Sequence, residues 1–255
     1  MKYYIIATIF GFLCLACRPD FNTEQKNIKY PSTEKSRPKT EEALKKKQPE
    51  EELKKKQQLK NTLLNDLKKQ IESAYNFKEK YIKEMEKEPS DQYGIQIFKV
   101  WSWGKGTEKI SDNTERSVRF RRHTYTILST LDIDELKEFS NIILLATEEI
   151  IFGSFSILGG VLDTVSNHLY HKKDNLNKLD ISDLKTLKNS LDKILSIIES
   201  VSRMSKQLVL DYENNKDFIK TNTNKLESHV YKLKNEFKQQ AVEARNLKEL
   251  IVATY

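Results

Sequence analysis

Residues 184–201 read LKTLKNSLDKILSIIESV and carry an apolar side chain at every third or fourth position. The members of this series are Leu184, Leu187, Leu191, Ile194, Ile198 and Val201. An α-helix has 3.6 residues per turn, so these side chains lie along one face of a helix. A helix of this kind buries its apolar face against other helices, and the stretch therefore predicts an all-α helical bundle.

The same spacing occurs on either side of this stretch. Towards the C-terminus the series is Leu226, Val230, Leu233, Phe237, Ala241, Ala244, Leu247 and Ile251. Towards the N-terminus it is Leu63, Leu67, Ile71, Ala74, Lys78, Ile82 and Met85, with Lys78 as the one polar member. We expect the N-terminal helix to end before Pro89 and the C-terminal series to pack within the bundle or to form a homodimer contact.

Two further helices are expected between these series. The sequence Ser111–Thr114 offers N-cap residues for a helix to about Thr130, and Asp132 and Asp134 begin another. The expected buried face of the second helix is formed by Leu136, Phe139, Ile143, Ala146 and Ile150. No proline follows Pro89, which disfavours a turn-rich β fold, and we expect about five to seven helices in residues 60–255.

Residues 139–162 are apolar enough to raise the question of a transmembrane helix. Glu148 and Glu149 lie near the middle of this window, and each carboxylate would cost roughly 2–3 kcal/mol or more in hydrocarbon. We therefore predict a central helix buried in the bundle, with Ser156 and Gly160 allowing the close approach of a neighbouring helix. Glu148 and Glu149 are expected to reach the surface or a basic partner.

The first seventeen residues have the pattern of a bacterial lipoprotein signal. A short basic start precedes the apolar run Tyr3–Leu13, which is too short to cross a bilayer. Cys17 follows the small residue Ala16, so we predict cleavage between Ala16 and Cys17 and acylation of the Cys17 thiol. An ordinary secretory signal or a retained anchor helix is the alternative. We therefore expect residues 1–16 to be a signal peptide and the lipid to hold the mature protein on a membrane.

The basic excess lies mainly beside this anchor. The chain of 255 residues has a net charge of +7, of which residues 18–60 contribute +5 and residues 61–255 only +1. Arg18–Thr40 is polar, contains three prolines and lacks periodicity, and Pro49 should interrupt the charged repeats that follow. We expect residues 17–59 to form a lipidated flexible tether, and the nearly neutral remainder disfavours nucleic acid as a partner.

The densest basic cluster of the predicted domain is a candidate interaction patch. It consists of Arg116, Arg119, Arg122 and His123, together with Arg121. Such a patch fits a sulfated glycan or an acidic protein surface, and the alternative is a solvated helix face paired with local acids.

The sequence contains no arrangement typical of catalysis. His168 and His171 share a helical face, but no third ligand has matching spacing. Gly104–Thr107 resembles a phosphate loop but lacks its first glycine and its final hydroxyl residue. We therefore predict no catalytic residue, no metal site and no cofactor.

Several short segments resemble the outer-surface lipoprotein family of Lyme disease spirochaetes that is related to the complement regulator-acquiring surface protein CspA. They are Ile97–Val100, Tyr125–Asp132, Leu136–Glu138, Leu210–Asn215 and Asn235–Phe237. The resemblance covers roughly residues 60–255, whereas Trp101–Gly104 departs from the family pattern. It implies a helical bundle displayed on the bacterial outer membrane at the cell surface.

The resemblance also implies a function. CspA-like proteins bind complement factor H and factor H-like protein. CspA itself dimerises through its C-terminal helix. We therefore expect this protein to bind a host protein, with complement regulators or complement components as the ligand class. Such binding would serve immune evasion. The alternative is an adhesin that binds host glycan or extracellular matrix through the basic patch.

Overall fold

Seven α-helices form most of the part of the chain that the structure, a computed structural model, describes: residues 40–104 and 106–255, with side chains from Glu50 onward. They are α1 (Thr40–Met85), α2 (Ile97–Val100), α3 (Glu115–Ile127), α4 (Ile133–Leu145), α5 (Ile151–Lys172), α6 (Ile181–Glu213) and α7 (Thr223–Thr254). Within these residues the only pairing of extended backbone is an isolated bridge between Ser102 and Lys109. The expected all-α bundle is confirmed. The signal peptide, Cys17 and the first part of the tether lie outside the described residues.

Helices α5, α6 and α7 form the centre of the bundle. All six members of the 184–201 series are buried, and the α7 series is buried except for Leu233 and Leu247, which are half-buried. Edge-to-face and tilted contacts link Phe139, Phe152, Phe155 and Phe237 at ring-centroid distances of 5.4–6.0 Å. The apolar face of α7 is therefore covered by α5 and α6 of the same chain.

Helix α1 runs antiparallel to α5. Its Glu72 forms an ion pair with Lys173 at 3.0 Å, and Tyr75 stacks on Tyr170 with ring centroids 3.8 Å apart. One turn later, Lys78 donates a 2.6 Å hydrogen bond to Asn167. Helix α1 thus joins the bundle at the end where α5 stops and α6 begins, which we call the entry pole. The opposite end, the turn pole, is the connection Asn214–Asn222 between α6 and α7.

Lys78 shows how a polar residue fits the predicted apolar series. Its side chain is buried, and its ammonium also pairs with Glu79 at 2.8 Å and lies 4.4 Å from the ring centroid of Tyr75. A buried charge is costly unless it is paired and hydrogen-bonded, and here both conditions are met. The helix can therefore continue its buried face through this position.

The N-caps of α3 and α4 confirm the expected helix starts. The Thr114 hydroxyl accepts a 3.4 Å hydrogen bond from the backbone N–H of Ser117. Asp132 and Glu135 form a reciprocal capping box, in which each side chain accepts from the other residue's N–H at 2.9 Å. These bonds satisfy amide donors that have no partner inside a helix.

The prediction of one buried helix over residues 139–162 is wrong, because α4 ends at Leu145 and α5 begins at Ile151. Thr147 adopts a left-handed conformation with φ of 53°. The N–H of Glu148 then donates to Ile143 O and that of Thr147 to Leu144 O, which is the Schellman pattern of helix termination. That position usually holds glycine, so the threonine gave no signal, and Ile150 is exposed rather than buried. No described helix is long and apolar enough to cross a membrane.

The prediction that Pro49 interrupts the helix is also wrong. Helix α1 extends over Thr40–Met85 and includes Pro49. A proline removes one backbone hydrogen bond, and the remaining bonds on either side suffice to continue this helix. Residues 40–59, which the sequence assigned to the tether, are therefore helical, and the side chains of Glu50–Leu59 are exposed.

Close helix approach depends on Gly159 rather than on Gly160. A Cβ atom at Gly159 would lie 2.4 Å from Cβ of His123, whereas one at Gly160 would lie 3.7 Å from the His123 ring. The sequence predicted a small-residue contact on this helix, but at Gly160 rather than at Gly159. Helices α3 and α5 are in close contact at this point, and their contact positions the candidate patch.

Candidate functional site

The predicted patch lies on α3, but its members face different surroundings. Arg116 pairs with Glu108, whereas Arg122 and His123 both contact Asp163 of α5. Arg119 is half-exposed and lies 3.7 Å from Glu115. The structure therefore does not gather these cations into one free basic surface.

The Arg116 guanidinium is held by the loop that precedes α3. Its Nε donates a 2.7 Å hydrogen bond to Glu108, and its Cζ lies 5.1 Å from the ring centroid of Trp103. Hydrogen bonds from Arg116 and then Thr114 lower the pKa of Glu108 to about 2, and the same pair raises the pKa of Arg116. The charge of Arg116 is thus compensated locally.

Arg122 and His123 share one carboxylate. Asp163 contacts Nε2 of His123 at 2.9 Å and also accepts from Arg122. Burial alone would raise the pKa of Asp163, but the hydrogen bond and charge of His123, together with Arg122, lower it below its usual value. Nδ1 of His123 is buried without a hydrogen-bond partner. This cluster joins α3 to α5 rather than presenting cations to solvent.

Arg121 is the most buried arginine of the cluster. Its guanidinium forms a 2.7 Å ion pair with Glu88 and donates to the carbonyls of Ile110 and Asp112. The hydroxyl of Tyr125 donates to the same Glu88 at 2.7 Å, and burial followed by the charge of Glu88 raises the pKa of Tyr125. These contacts link the connection after α1, the loop before α3 and α3 itself.

The two tryptophans of the loop serve its packing. Trp101 and Trp103 both contact the ring of Phe120 edge-on at 5.6 Å between centroids. The Trp103 indole N–H donates to Ser117 at 2.8 Å, and its backbone N–H donates to the carbonyl of Glu108 at 2.9 Å. Both rings are half-buried, so this segment is an ordered part of the bundle surface.

Histidine and carboxylate side chains form no metal-binding group of three or more within the described residues. His168 lies 3.3 Å from the ammonium of Lys172, and burial followed by this charge lowers the pKa of His168. Glu148 has the basic partner that was expected: it pairs with Lys234 of α7 at 2.8 Å.

One exposed surface, the α6–α7 turn Asn214–Asn222, was not predicted from the sequence. Asn215, Asp217 and Phe218 all have positive φ values, of 49°, 52° and 65°. The Phe218 side chain is 61% exposed, while the next residue, Ile219, is buried. Left-handed conformations cannot be inferred from periodicity, so only the structure reveals this turn.

Comparisons with known proteins give a consistent result. The model of the family described as Borrelia Bbcrasp-1 domain containing protein matches residues 83–254. The crystal structure of BSE31 from the Lyme disease agent Borrelia spielmanii has 47% sequence identity and a TM-score of 0.74, and covers 76% of this chain and 98% of its own. A search of curated proteins finds no match.

More distant structures have the same fold. The outer surface lipoprotein BBA64 of Borrelia burgdorferi has 18% identity and a TM-score of 0.63, with 76% of this chain and 97% of its own covered. The Lyme disease associated outer surface protein BBA65 of the same organism has 16% identity and a TM-score of 0.61, with 71% and 96% covered.

Proposed function

Because the chain belongs to the family of Borrelia Bbcrasp-1 domain containing proteins, we propose that it is a lipid-anchored protein of the outer cell surface that binds a host protein without catalysis. The match over residues 83–254 is the observation that carries this proposal. It is supported by the surface location stated for BBA64 and BBA65, which have the same fold.

The anchor is the acylated thiol of Cys17, which follows Ala16 at the end of the signal peptide. Two or more acyl chains give stable membrane attachment, whereas one would be marginal. We expect Cys17→Ala to abolish incorporation of labelled palmitate and to release the protein from membranes, while Cys14→Ala, the matched control, leaves both unchanged. Undiminished labelling of the Cys17 variant would contradict the anchor.

The ligand class that we propose is a complement regulator or another complement component, with factor H as the first candidate. Binding would use a helical face or a turn of the bundle, because the described residues contain no metal-binding cluster and the arginines of α3 are paired. Such a protein would act at the host interface by recruiting or blocking a complement protein.

The test is retention from host serum. The full chain without its signal peptide is immobilised and incubated with serum at physiological salt, and retained proteins are identified by mass spectrometry. We expect a complement protein among those retained, and we expect purified factor H to compete if it is the ligand. Retention of no serum protein would contradict the proposed function.

The glycan-binding alternative is not supported by the environment of the arginines. Arg116 and Arg122 are paired with Glu108 and Asp163, so binding a sulfate would require these pairs to separate. Retention on heparin that is lost in Arg119→Ala would favour this alternative.

A homodimer through the C-terminal helix remains a separate proposal. Since α5 and α6 cover the apolar face of α7, a second chain would have to use another face of the helix, for example the one where Val242 is half-exposed. Light scattering on residues 60–255 measures whether the protein is a monomer or a dimer, and a monomer would contradict this proposal.

A further inference from the structure

We infer that the α6–α7 turn, Asn214–Asn222, is the surface that contacts the host protein, and that the Phe218 ring enters an apolar pocket whose rim carries a carboxylate facing Lys225. The inference rests on the proposed function, because it names the contact surface for that binding. It commits to a protein partner with an apolar pocket next to an acidic side chain.

The first argument is the conformation of Phe218. Its side chain is 61% exposed, and its φ of 65° is one that residues with a Cβ atom rarely adopt. Burial in the bundle does not compensate for this conformation, and glycine would adopt it without strain. Strained residues of this kind cluster at binding sites, where the surrounding structure holds them in place.

The second argument is that hydrogen bonds hold the backbone of the turn at Phe218. The Asn215 side-chain oxygen accepts hydrogen bonds from the N–H groups of Lys220 at 3.0 Å and Thr221 at 3.2 Å. The Phe218 N–H donates to Asn215 O at 3.0 Å, and Phe218 O accepts from Asn222 N at 3.0 Å. A turn whose backbone is ordered before binding loses less conformational entropy when its side chain enters a pocket.

The third argument is the charge beside the ring. The Lys225 ammonium lies 4.5 Å from the centroid of Phe218, and Lys220 lies 5.7 Å from that of Tyr212. Among the described residues neither lysine forms an ion pair, whereas Lys216 pairs with Asp211 at 3.0 Å. An aromatic ring with an adjacent cation matches an apolar pocket bordered by a carboxylate, which is the chemistry of a protein hot spot.

The fourth argument is the position of the turn. The part of α1 that contains Glu72 and Tyr75 enters the bundle beside Lys173 and Tyr170, at the entry pole. The 33 residues of α6 separate this pole from the turn pole by roughly 50 Å. The α6–α7 turn therefore lies at the end of the bundle opposite to the one where α1 enters.

The experiment compares Phe218→Gly with Tyr231→Ala. Tyr231 is a matched control, because it is also a half-exposed aromatic residue with a lysine, Lys234, 4.2 Å from its ring centroid. Each full chain without its signal peptide is immobilised and incubated with the same diluted serum. The host protein that the wild type retains is then quantified for every variant. We expect Phe218→Gly to reduce retention at least tenfold and Lys225→Glu several-fold, while Tyr231→Ala has no effect.

A second measurement separates binding from folding. Because glycine relieves the positive φ, we expect the melting temperature of Phe218→Gly to equal or exceed that of the wild type. A lower melting temperature would make Phe218 a structural residue and would overturn the inference. Equal retention by wild type and Phe218→Gly would overturn it while leaving the proposed function intact, and no retention by the wild type would overturn both.

Discussion

The α6–α7 hairpin and the segment Glu86–Asp132 of the same bundle are stabilised by different kinds of contact. In the hairpin, apolar side chains three and four residues apart pack along both helices, and polar residues face solvent. In the segment, a buried arginine, a carboxylate and a tyrosine join three stretches of chain that are far apart in sequence. Local periodicity is therefore enough to predict the first region, whereas the second depends on contacts that form only in the folded protein.

The largest expected effect is in the second region. Arg121→Ala would leave the Glu88 carboxylate buried without its partner, and breaking such a buried pair costs about 3–5 kcal/mol. The matched control is Arg119→Ala, whose half-exposed side chain should contribute under about 1 kcal/mol. Urea unfolding followed by circular dichroism measures both, and similar losses in the two variants would refute the structural role of Arg121.

The hairpin should be affected by loss of apolar volume. Leu191 is completely buried in the centre of the α6 series, so Leu191→Ala should cost about 2–5 kcal/mol through lost burial and the cavity that remains. Leu53→Ala, on the exposed part of α1, should change the free energy of unfolding by under about 0.5 kcal/mol. If both variants unfold at the same urea concentration, α6 is not the core helix described above.

The contact that connects α3 to the central helices should be sensitive to a single methyl group. A Cβ at Gly159 would meet Cβ and Cα of His123 at 2.4 and 2.8 Å, so Gly159→Ala should destabilise by about 1–3 kcal/mol. Gly153 on the same helix has no atom within 4 Å of its ideal Cβ, and Gly153→Ala should be neutral or slightly stabilising. Thermal unfolding of the two variants checks the ranking, and the reverse order would contradict the close approach.

The smallest effect concerns acid pH. The pKa of Asp163 is lower in the folded protein than its ordinary value of about 3.9, so the folded state is favoured above that pH. This stabilisation is lost as the pH falls through the lowered pKa, because the unfolded state then binds the proton first. Asp163→Asn should be less stable than the wild type at pH 6 and should lose less stability on acidification to pH 3.

The control for this measurement is Asp134→Asn, since Asp134 is exposed in the first turn of α4. Unfolding of both variants and the wild type in urea at pH 6, 4 and 3 gives the comparison. A pH dependence of Asp163→Asn equal to that of the wild type would show that the cluster with Arg122 and His123 does not stabilise the fold.

The sequence by itself determined the helical class, the two long helices of the hairpin and the caps at Thr114 and Asp132. These features depend on residues close together in the chain, namely an apolar side chain at each turn and an oxygen-bearing side chain at the helix start. The sequence also determined the family, because the segments that resemble it are short enough to recognise in the chain itself and follow one another in the family's order.

Only the tertiary structure decided which charged residues are available for binding. Five basic residues in eight positions on α3 form a patch in the sequence, yet Arg121 is buried and Arg122 and His123 face Asp163, forty residues away. It also decided where α4 ends, because Thr147 adopts a conformation that its residue type does not announce. Ion pairs and left-handed turns depend on which groups meet after folding, and a pattern along one helix carries no information about its neighbours.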